Sequence, residues 1–448
     1  MVPLGSRQCG FLLVTCLAML ACKDAANESP DAHDEQTAGE DAGNAHPSSP
    51  GHEQPSSGEH EQPGSTDASR ADAGNTDTES TPDTTTPVTP QEPDSTVEPD
   101  STVDPDAMVD SGDPDGIETP SIEAPSSAWV NATGNLASMQ SECGNLTLVS
   151  ATPNSSVIIA GVAKVGLFES NDRGQHWTQL GTGAGSAVIT NRPSSIVYDP
   201  EDAETFWESR IYNGGGVYKT ADSGKTFEQL GMVSHNDLVS LDFGDPDRQT
   251  LLVGGHEQKQ TLYLSTNGGQ SFDPIGMNLP ADSHFSSAPL VLDSKTFLLG
   301  ACGYGDGTCG VYRSGDAGEH WDQVSDLPVA GRPLVTSDGS IYWTLIYDGG
   351  IARGTPDGMT WSKTSDNLTT GYPVELPNGE LLLVRGTHVV VSPDEGSTWN
   401  EVGDEIPFKP SGVTYSVQQK TLFVWHWDCG EVVLDDAIAS AGFDASAR

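Results

Sequence analysis

An eight-residue pattern recurs along this chain and limits what it can become. It reads Ser or Thr, any residue, Asp, any, Gly, two of any, then an aromatic, and Ser314-Gly315-Asp316-Ala317-Gly318-Glu319-His320-Trp321 is a full copy. Residues 170–177 (Asp172, Gly174, Trp177), 220–227 (Asp222, Gly224, Phe227) and 392–399 (Asp394, Gly396, Trp399) match it throughout. Residues 265–272 carry Asn267 in the Asp place, and 354–361 is degraded, with Asp357 one position late. A short acidic or amide side chain can fold back onto backbone N–H groups two residues on, forming an Asx-type turn. The Gly closes such a turn at positive φ without a Cβ clash. The aromatic then opens a strand and buries a large flat surface against a neighbouring sheet.

Measured from aromatic to aromatic, the copies stand 50, 45, 49, 40 and 38 residues apart. Four strands of five or six residues with their turns need about 40–45 residues, the length of one propeller blade. Strand-like runs fill the intervals and no window shows an amphipathic helix, so the chain reads as all-β. The two ends predict how many blades there are. After Trp399 come strand-like runs at 412–417, 421–427 and 431–434 with no further copy, and 128–133 reads as a lone fourth strand with no blade before it. Joined, they complete a ring. The expectation is a single seven-bladed β-propeller over 126–448, closed by N- and C-terminal strands, which leaves only short, protected sheet edges.

The repeated unit resembles the Asp-box, or BNR repeat, of sialidases, sortilin-like receptors, family 74 xyloglucanases and photosystem assembly factors. That resemblance implies a structural turn between the third and fourth strands of each blade. Asp172, Asp222, Asn267, Asp316, Asp357 and Asp394 are therefore assigned to structure, not catalysis. It also implies that ligands meet the opposite face, built from the loops entering each blade and those joining its second and third strands. Arg192, His235, Asp237, Asp282, His284, Arg332, Tyr372, Glu375 and Lys409 are expected in the first set of loops, and Arg210, Tyr212, Lys259, Tyr304, Tyr347, Arg385, His426 and Trp427 in the second. Basic and aromatic groups around a channel mouth suit an anionic or sugar-like ligand.

The N-terminal part is of another kind. Arg7 precedes an apolar run at 11–21, the length of a signal-peptide core and too short to span a bilayer. It ends Met19-Leu20-Ala21-Cys22, which looks like a bacterial lipobox, so residues 1–21 are expected to be removed and Cys22 acylated. Multiple acyl chains would then hold the protein to a membrane of the cell envelope, the outer membrane or cell surface being expected. Residues 22–125 hold no aromatic residue, and 26 of the first 125 residues are acidic against 3 basic. Such a segment cannot bury enough apolar surface to offset chain entropy, so a disordered acidic tether is expected. A coil of roughly 100 residues spans on the order of 50–60 Å. Within it, residues 110–116 show faint calcium-loop spacing, but Pro114 interrupts them and no bidentate Glu follows, so no metal is assigned.

Export predicts that the cysteines pair. Cys302 and Cys309 flank a short loop between two strands of the fourth blade and most simply join each other. Cys143 then pairs with Cys429, which are neighbours only in a closed ring.

Several functions are excluded. There is no Gly-x-Ser-x-Gly, His-Glu-x-x-His or phosphate loop, and His256-Glu257 lacks the second His. A net charge of −45 argues against nucleic-acid binding, since phosphate contacts need basic surface. No cofactor is implied, and a monomer is expected. Sialidases use an arginine triad, a Tyr–Glu nucleophile and an Asp acid/base. Asp237, Tyr372 and Glu375 are the right types here, yet no Arg lies between residue 126 and the first box, where that family's Arg-Ile-Pro signature belongs. Family 74 enzymes use two Asp carboxylates in a cleft between two propellers, and one propeller is expected here. The reading is therefore a surface-anchored lipoprotein whose propeller binds a protein or glycan. A glycoside hydrolase, and an assembly factor for a membrane complex, are the alternatives.

Overall fold

The runs between the boxes are rich in Val, Ile, Leu and aromatic residues, and they pair as antiparallel strands. A computed structural model describes residues 127–447 apart from 213–214, 347–348 and 367–369. The expected signal segment, Cys22, the tether and Tyr347 lie outside the described residues. Among the described residues twenty-eight strands form seven four-stranded sheets. Blade 1 runs from Leu146–Ala151 through Ile158–Val162 and Gly166–Ser170 to Thr178–Gln179. The next five blades open in turn with Arg192–Tyr198, Asn236–Leu241, Ala288–Val291, Val329–Val335 and Thr370–Glu375, and each takes four consecutive strands. Blade 7 opens with Gly412–Ser416.

Each sheet is covered on both faces by its neighbours, so its central strands are apolar throughout instead of alternating. Ile158–Val162, Phe297–Ala301 and Thr421–Trp425 are buried at every position. The core is thus a ring of inter-blade layers. Between blades 1 and 2, for instance, Ile159 and Leu167 pack on Ile196, Phe206 and Phe227. The outermost strands, such as Thr178–Gln179, face solvent.

The boxes form the expected turns, with one difference in wiring. In blade 4 the Ser314 hydroxyl donates to Asp316 (2.9 Å) and accepts from the Gly318 N–H (2.8 Å). The same carboxylate oxygen accepts from the His320 N–H (2.9 Å), four residues on instead of two. The hydroxyl therefore holds the nearer backbone groups and the Asp spans the whole turn. Ala317 and Gly318 both take positive φ (60° and 83°), and the Trp321 indole donates to the Gly318 carbonyl (3.1 Å). Blades 1, 2, 3 and 6 repeat the hydroxyl-to-glycine bond at 3.0, 2.9, 2.9 and 2.8 Å. In the degraded copy Thr355 takes the hydroxyl's part, donating to Asp357 (2.6 Å) and accepting from the Thr360 N–H (3.1 Å). Donor and Asp have moved together, so the turn closes one residue shorter.

Ring closure is as expected in kind and different in detail. The outer strand of blade 7 is Val130–Asn131, paired antiparallel with Ile438–Gly442 (Val130 opposite Ser440). The third strand of that blade is therefore 438–442 and not 431–434. The latter segment is claimed from the other side of the seam. Ser138 and Ser141 donate their N–H groups to the Val433 and Glu431 carbonyls (2.9 and 2.6 Å), and Gln140 bridges Val432. Cys143 and Cys429 form a disulfide across this seam, and Cys302 and Cys309 form the second. In the chain-entropy model a closed loop of 286 residues stabilises by roughly 5–6 kcal/mol.

Candidate functional site

The seven inner strands enclose a channel of about 1040 Å³. Five of them carry a register irregularity near their starting end, at the face away from the boxes. The shifts fall between Leu146 and Leu148, Pro193 and Ser195, Asn236 and Leu238, Ala330 and Leu334, and Thr370 and Val374. A bulge bends its strand and re-aims the extra side chain. Here the bulged residues of blades 3, 5 and 6 include Asp237, Arg332 and Tyr372, all three of which line the channel.

Around Asp237 a polar cluster forms at the mouth. Its carboxylate meets Nδ1 of His256 at 2.8 Å, and His256 Nε2 meets the Tyr212 hydroxyl at 3.1 Å. With the carboxylate taking the Nδ1 proton, Nε2 is the acceptor and the phenol donates to it. His256 is only 5% exposed, whereas Asp237 is 29% exposed, so the imidazole is a fixed support and the acid is the accessible end. Glu257 lies on the other side of the ring, 3.8 Å from Nε2, and accepts from the Tyr304 hydroxyl (2.6 Å). Tyr304 rides on the loop between Cys302 and Cys309, so that disulfide steadies one wall of the mouth. Tyr212, His235 and His256 pack edge to face or tilted, with ring centres 5.0–5.2 Å apart. Burial pushes the Tyr212 phenol up, and the negative charges of Glu257 and Asp237 add to this, which keeps it protonated and able to donate.

No protein-family model matches the chain. By sequence it is similar to a probable oligoxyloglucan-reducing end-specific xyloglucanase of Neosartorya fischeri, 27% identical over 231 residues. A second such xyloglucanase, of Emericella nidulans, is 25% identical over 229 residues. Both alignments take in 44% of this chain and 27% of the relative, so the chain spans about a quarter of the curated proteins it matches. Among solved structures, the WD40 repeats of RRP9 superpose with a TM-score of 0.50 at 11% identity, over 72% of this chain and 99% of that one. This likeness shows the fold alone. The GH74 xyloglucanase from Xanthomonas campestris gives 0.44 at 18% identity over 61% and 46% of the two chains, and YCF48 bound to D1 peptide gives 0.45 at 13% over 72% and 99%. By its fold the chain is a seven-bladed β-propeller.

The propeller places the other expected site residues variously. Arg192 is buried at the mouth between blades 1 and 2, donating to the Cys143 carbonyl (3.1 Å) and lying 5.9 Å over the Tyr212 ring. His235 accepts from the Tyr212 N–H (3.1 Å) and buttresses the same cluster. Arg210 does not face the channel. It is wholly buried beside Glu208, whose carboxyl burial pushes up to about 7 against the pull of the guanidinium. Glu375 ends the inner strand of blade 6, on the box side of the propeller, where it accepts from the Ser337 N–H and hydroxyl (2.8 and 2.6 Å). The two expected carboxylates Asp237 and Glu375 therefore sit toward opposite ends of the channel. Sequence reasoning passed over Glu257 and the support role of His256, because their dipeptide has meaning only once the strands bring Tyr212 and Asp237 to it.

Proposed function

We propose that this propeller is an envelope-anchored glycan-binding module whose mouth grips an oligosaccharide through Asp237, Glu257, Tyr212 and Tyr304. The carrying observation is the hydrogen-bonded series Asp237–His256–Tyr212, with Glu257 and Tyr304 beside it, at the open end of a channel. Sugars present closely spaced hydroxyls that donate to carboxylates and to phenol oxygens, and aromatic rings cover their C–H faces. A concave site with a few fixed polar groups suits such a ligand. The sequence likeness to xyloglucanases supports a glycan over a protein partner. The lipobox at Cys22 and the acidic tether would hold the module out from the membrane.

A second reading, glycoside hydrolysis, is favoured by one observation: Asp237 and Glu257 flank a single imidazole, so two carboxylates face one mouth. In hydrolases of that type one carboxyl serves as acid and the other as base or nucleophile. Titration of the full chain with xyloglucan oligosaccharides, followed by calorimetry and by reducing-end release, decides between them. Saturable binding without release supports the module, whereas release abolished by both Asp237→Asn and Glu257→Gln would replace it with the enzyme. No binding of any oligosaccharide would overturn both.

A further inference from the structure

Deeper in the channel stands a second group of side chains. In blade 5 the irregular stretch is Gly331-Arg332-Pro333, and in blade 6 it is Gly371-Tyr372-Pro373. The two neighbouring blades thus use the same Gly-X-Pro device. Both glycines take positive φ (74° and 81°), and a Cβ on Gly331 would stand 2.5 Å from the Tyr372 ring. The Gly331 carbonyl is anchored by the wholly buried Trp343 indole (2.8 Å). Backbone of this kind is held by its surroundings, and bulges that re-aim side chains gather beside functional sites.

The device brings a cation into the channel. The Arg332 guanidinium reaches from blade 5 to blade 2 and donates to the Ile196 carbonyl (2.7 Å). Among the described residues no carboxylate stands within ion-pair distance of it, in a chain of net charge −45. Tyr198 and Tyr372 are the groups whose electrostatics it feels. The Tyr198 hydroxyl is buried with no well-formed hydrogen bond, although Ser150 is near it, and the neighbouring Ser195 hydroxyl is likewise unpartnered. A half-buried cation that cannot shed its proton is stabilised by an opposite charge, and a guanidinium fork matches a planar carboxylate.

We propose that Arg332, Tyr372 and Tyr198 form a carboxylate-binding site inside the channel. One guanidinium nitrogen stays on the Ile196 carbonyl, the remaining N–H groups face the carboxylate, and the phenols donate from the sides. This deepens the glycan reading and rests on it for the carrier: the ligand is an acidic glycan, with a uronate entering the channel while neutral sugars occupy the mouth.

The test uses the full chain and four probes: a neutral xylo-oligosaccharide, the same oligosaccharide bearing one glucuronate, free glucuronate, and acetate. The acidic oligosaccharide should bind at least about tenfold tighter than the neutral one, and acetate should compete for that advantage. Arg332→Gln should abolish the advantage, Arg332→Lys should keep part of it, and Tyr372→Phe should reduce it while the neutral oligosaccharide binds as before. Equal binding of the two oligosaccharides, or an advantage that survives Arg332→Gln, would overturn the site and leave the glycan module standing. Binding of glucuronate and acetate that needs Arg332, with no gain from either oligosaccharide, would keep the site and overturn the glycan module. Should Arg332→Gln fail to fold, the wild-type competition decides together with Tyr198→Phe. Acetate without effect then overturns the site.

Discussion

The two ends of the propeller are built on opposite principles. On the box face every blade from 1 to 6 solves the same local problem with a similar set of bonds, and each turn closes on itself: hydroxyl to carboxylate, amide to hydroxyl and, in the four boxes that end in Trp, indole to glycine carbonyl. On the other face blades 5 and 6 share a Gly-X-Pro backbone, but the side chains they and blade 3 aim inward all differ. Asp237, Arg332 and Tyr372 occur once each: Asp237 holds His256 of its own blade, which reaches Tyr212 of blade 2, Arg332 donates across to blade 2, and buried hydroxyls are left over. Repetition marks what the ring needs in order to stand. Departure from it marks what the ring can bind.

The largest effects should fall on the repeated side and be effects on stability. Trp321 is buried in the layer between blades 3 and 4. Trp321→Ala should cost about 3–5 kcal/mol in chemical denaturation and leave oligosaccharide affinity unchanged below the transition. Trp361, in the shortened box, is only partly buried, so Trp361→Ala should cost less. Equal losses would mean that the boxes act through something other than buried area.

The next effect belongs to the other face and should be one of affinity. Asp237→Asn keeps the shape and removes the charge that His256 supports, and binding should weaken by about 1.5–3 kcal/mol, tenfold or more. The melting temperature should move little, because Asp237 is part-exposed and lies outside the inter-blade layers. The matched change on the box face, Asp394→Asn, should leave affinity alone. If both substitutions altered affinity alike, the contrast between the faces would fail.

The same contrast explains what could be read in the sequence. Box spacing, blade number, ring closure and both disulfides were legible because each follows from local turn chemistry repeated at a fixed period. The third strand of blade 7 was misplaced at 431–434 because both that segment and 438–442 are apolar enough for a strand. Only the seam decides, since residues 138–141 already occupy 431–433. Arg210 was expected at the mouth by its position at the end of a strand. Its burial depends on which way one residue of a two-sided strand points, and its neighbour Glu208 was the available hint. The Gly-X-Pro stretches at 331–333 and 371–373 were visible, yet their effect depends on register against the next strand. A bulge is a relation between two strands, and composition does not carry it.

The smallest effect concerns charge within the boxes. Hydrogen bonds from the His320 N–H and ring and from Ser314 hold the exposed Asp316 carboxyl at about 2. An unfolded Asp titrates near 4, so this bond set stabilises fully above about pH 4 and is lost as pH falls toward 2. His320 is shifted the other way, its pKa raised chiefly by its hydrogen bond to Asp316. Its contribution is complete below the ordinary histidine value of about 6.5 and is lost as pH rises through the raised value. Blade 4 should therefore be best held between those limits. Blade 6 has Thr398 in the histidine's place and Asp394 lowered chiefly by the Thr398 N–H, so it has the acid limb alone. Blade 3, with Asn267, has neither. Melting temperatures from pH 2 to 8 should show both limbs in the wild type. His320→Thr should erase the neutral limb and keep the acid one, and Asp316→Asn should erase the neutral limb and only weaken the acid one, which Asp172, Asp222 and Asp394 still carry. A neutral limb that persisted in His320→Thr would point to the carboxyls that burial pushes up, Glu208 to about 7 and Glu169 in the same direction, each of which destabilises the fold as pH rises above its unfolded value of about 4.5. That limb would then report the inter-blade core and not the box.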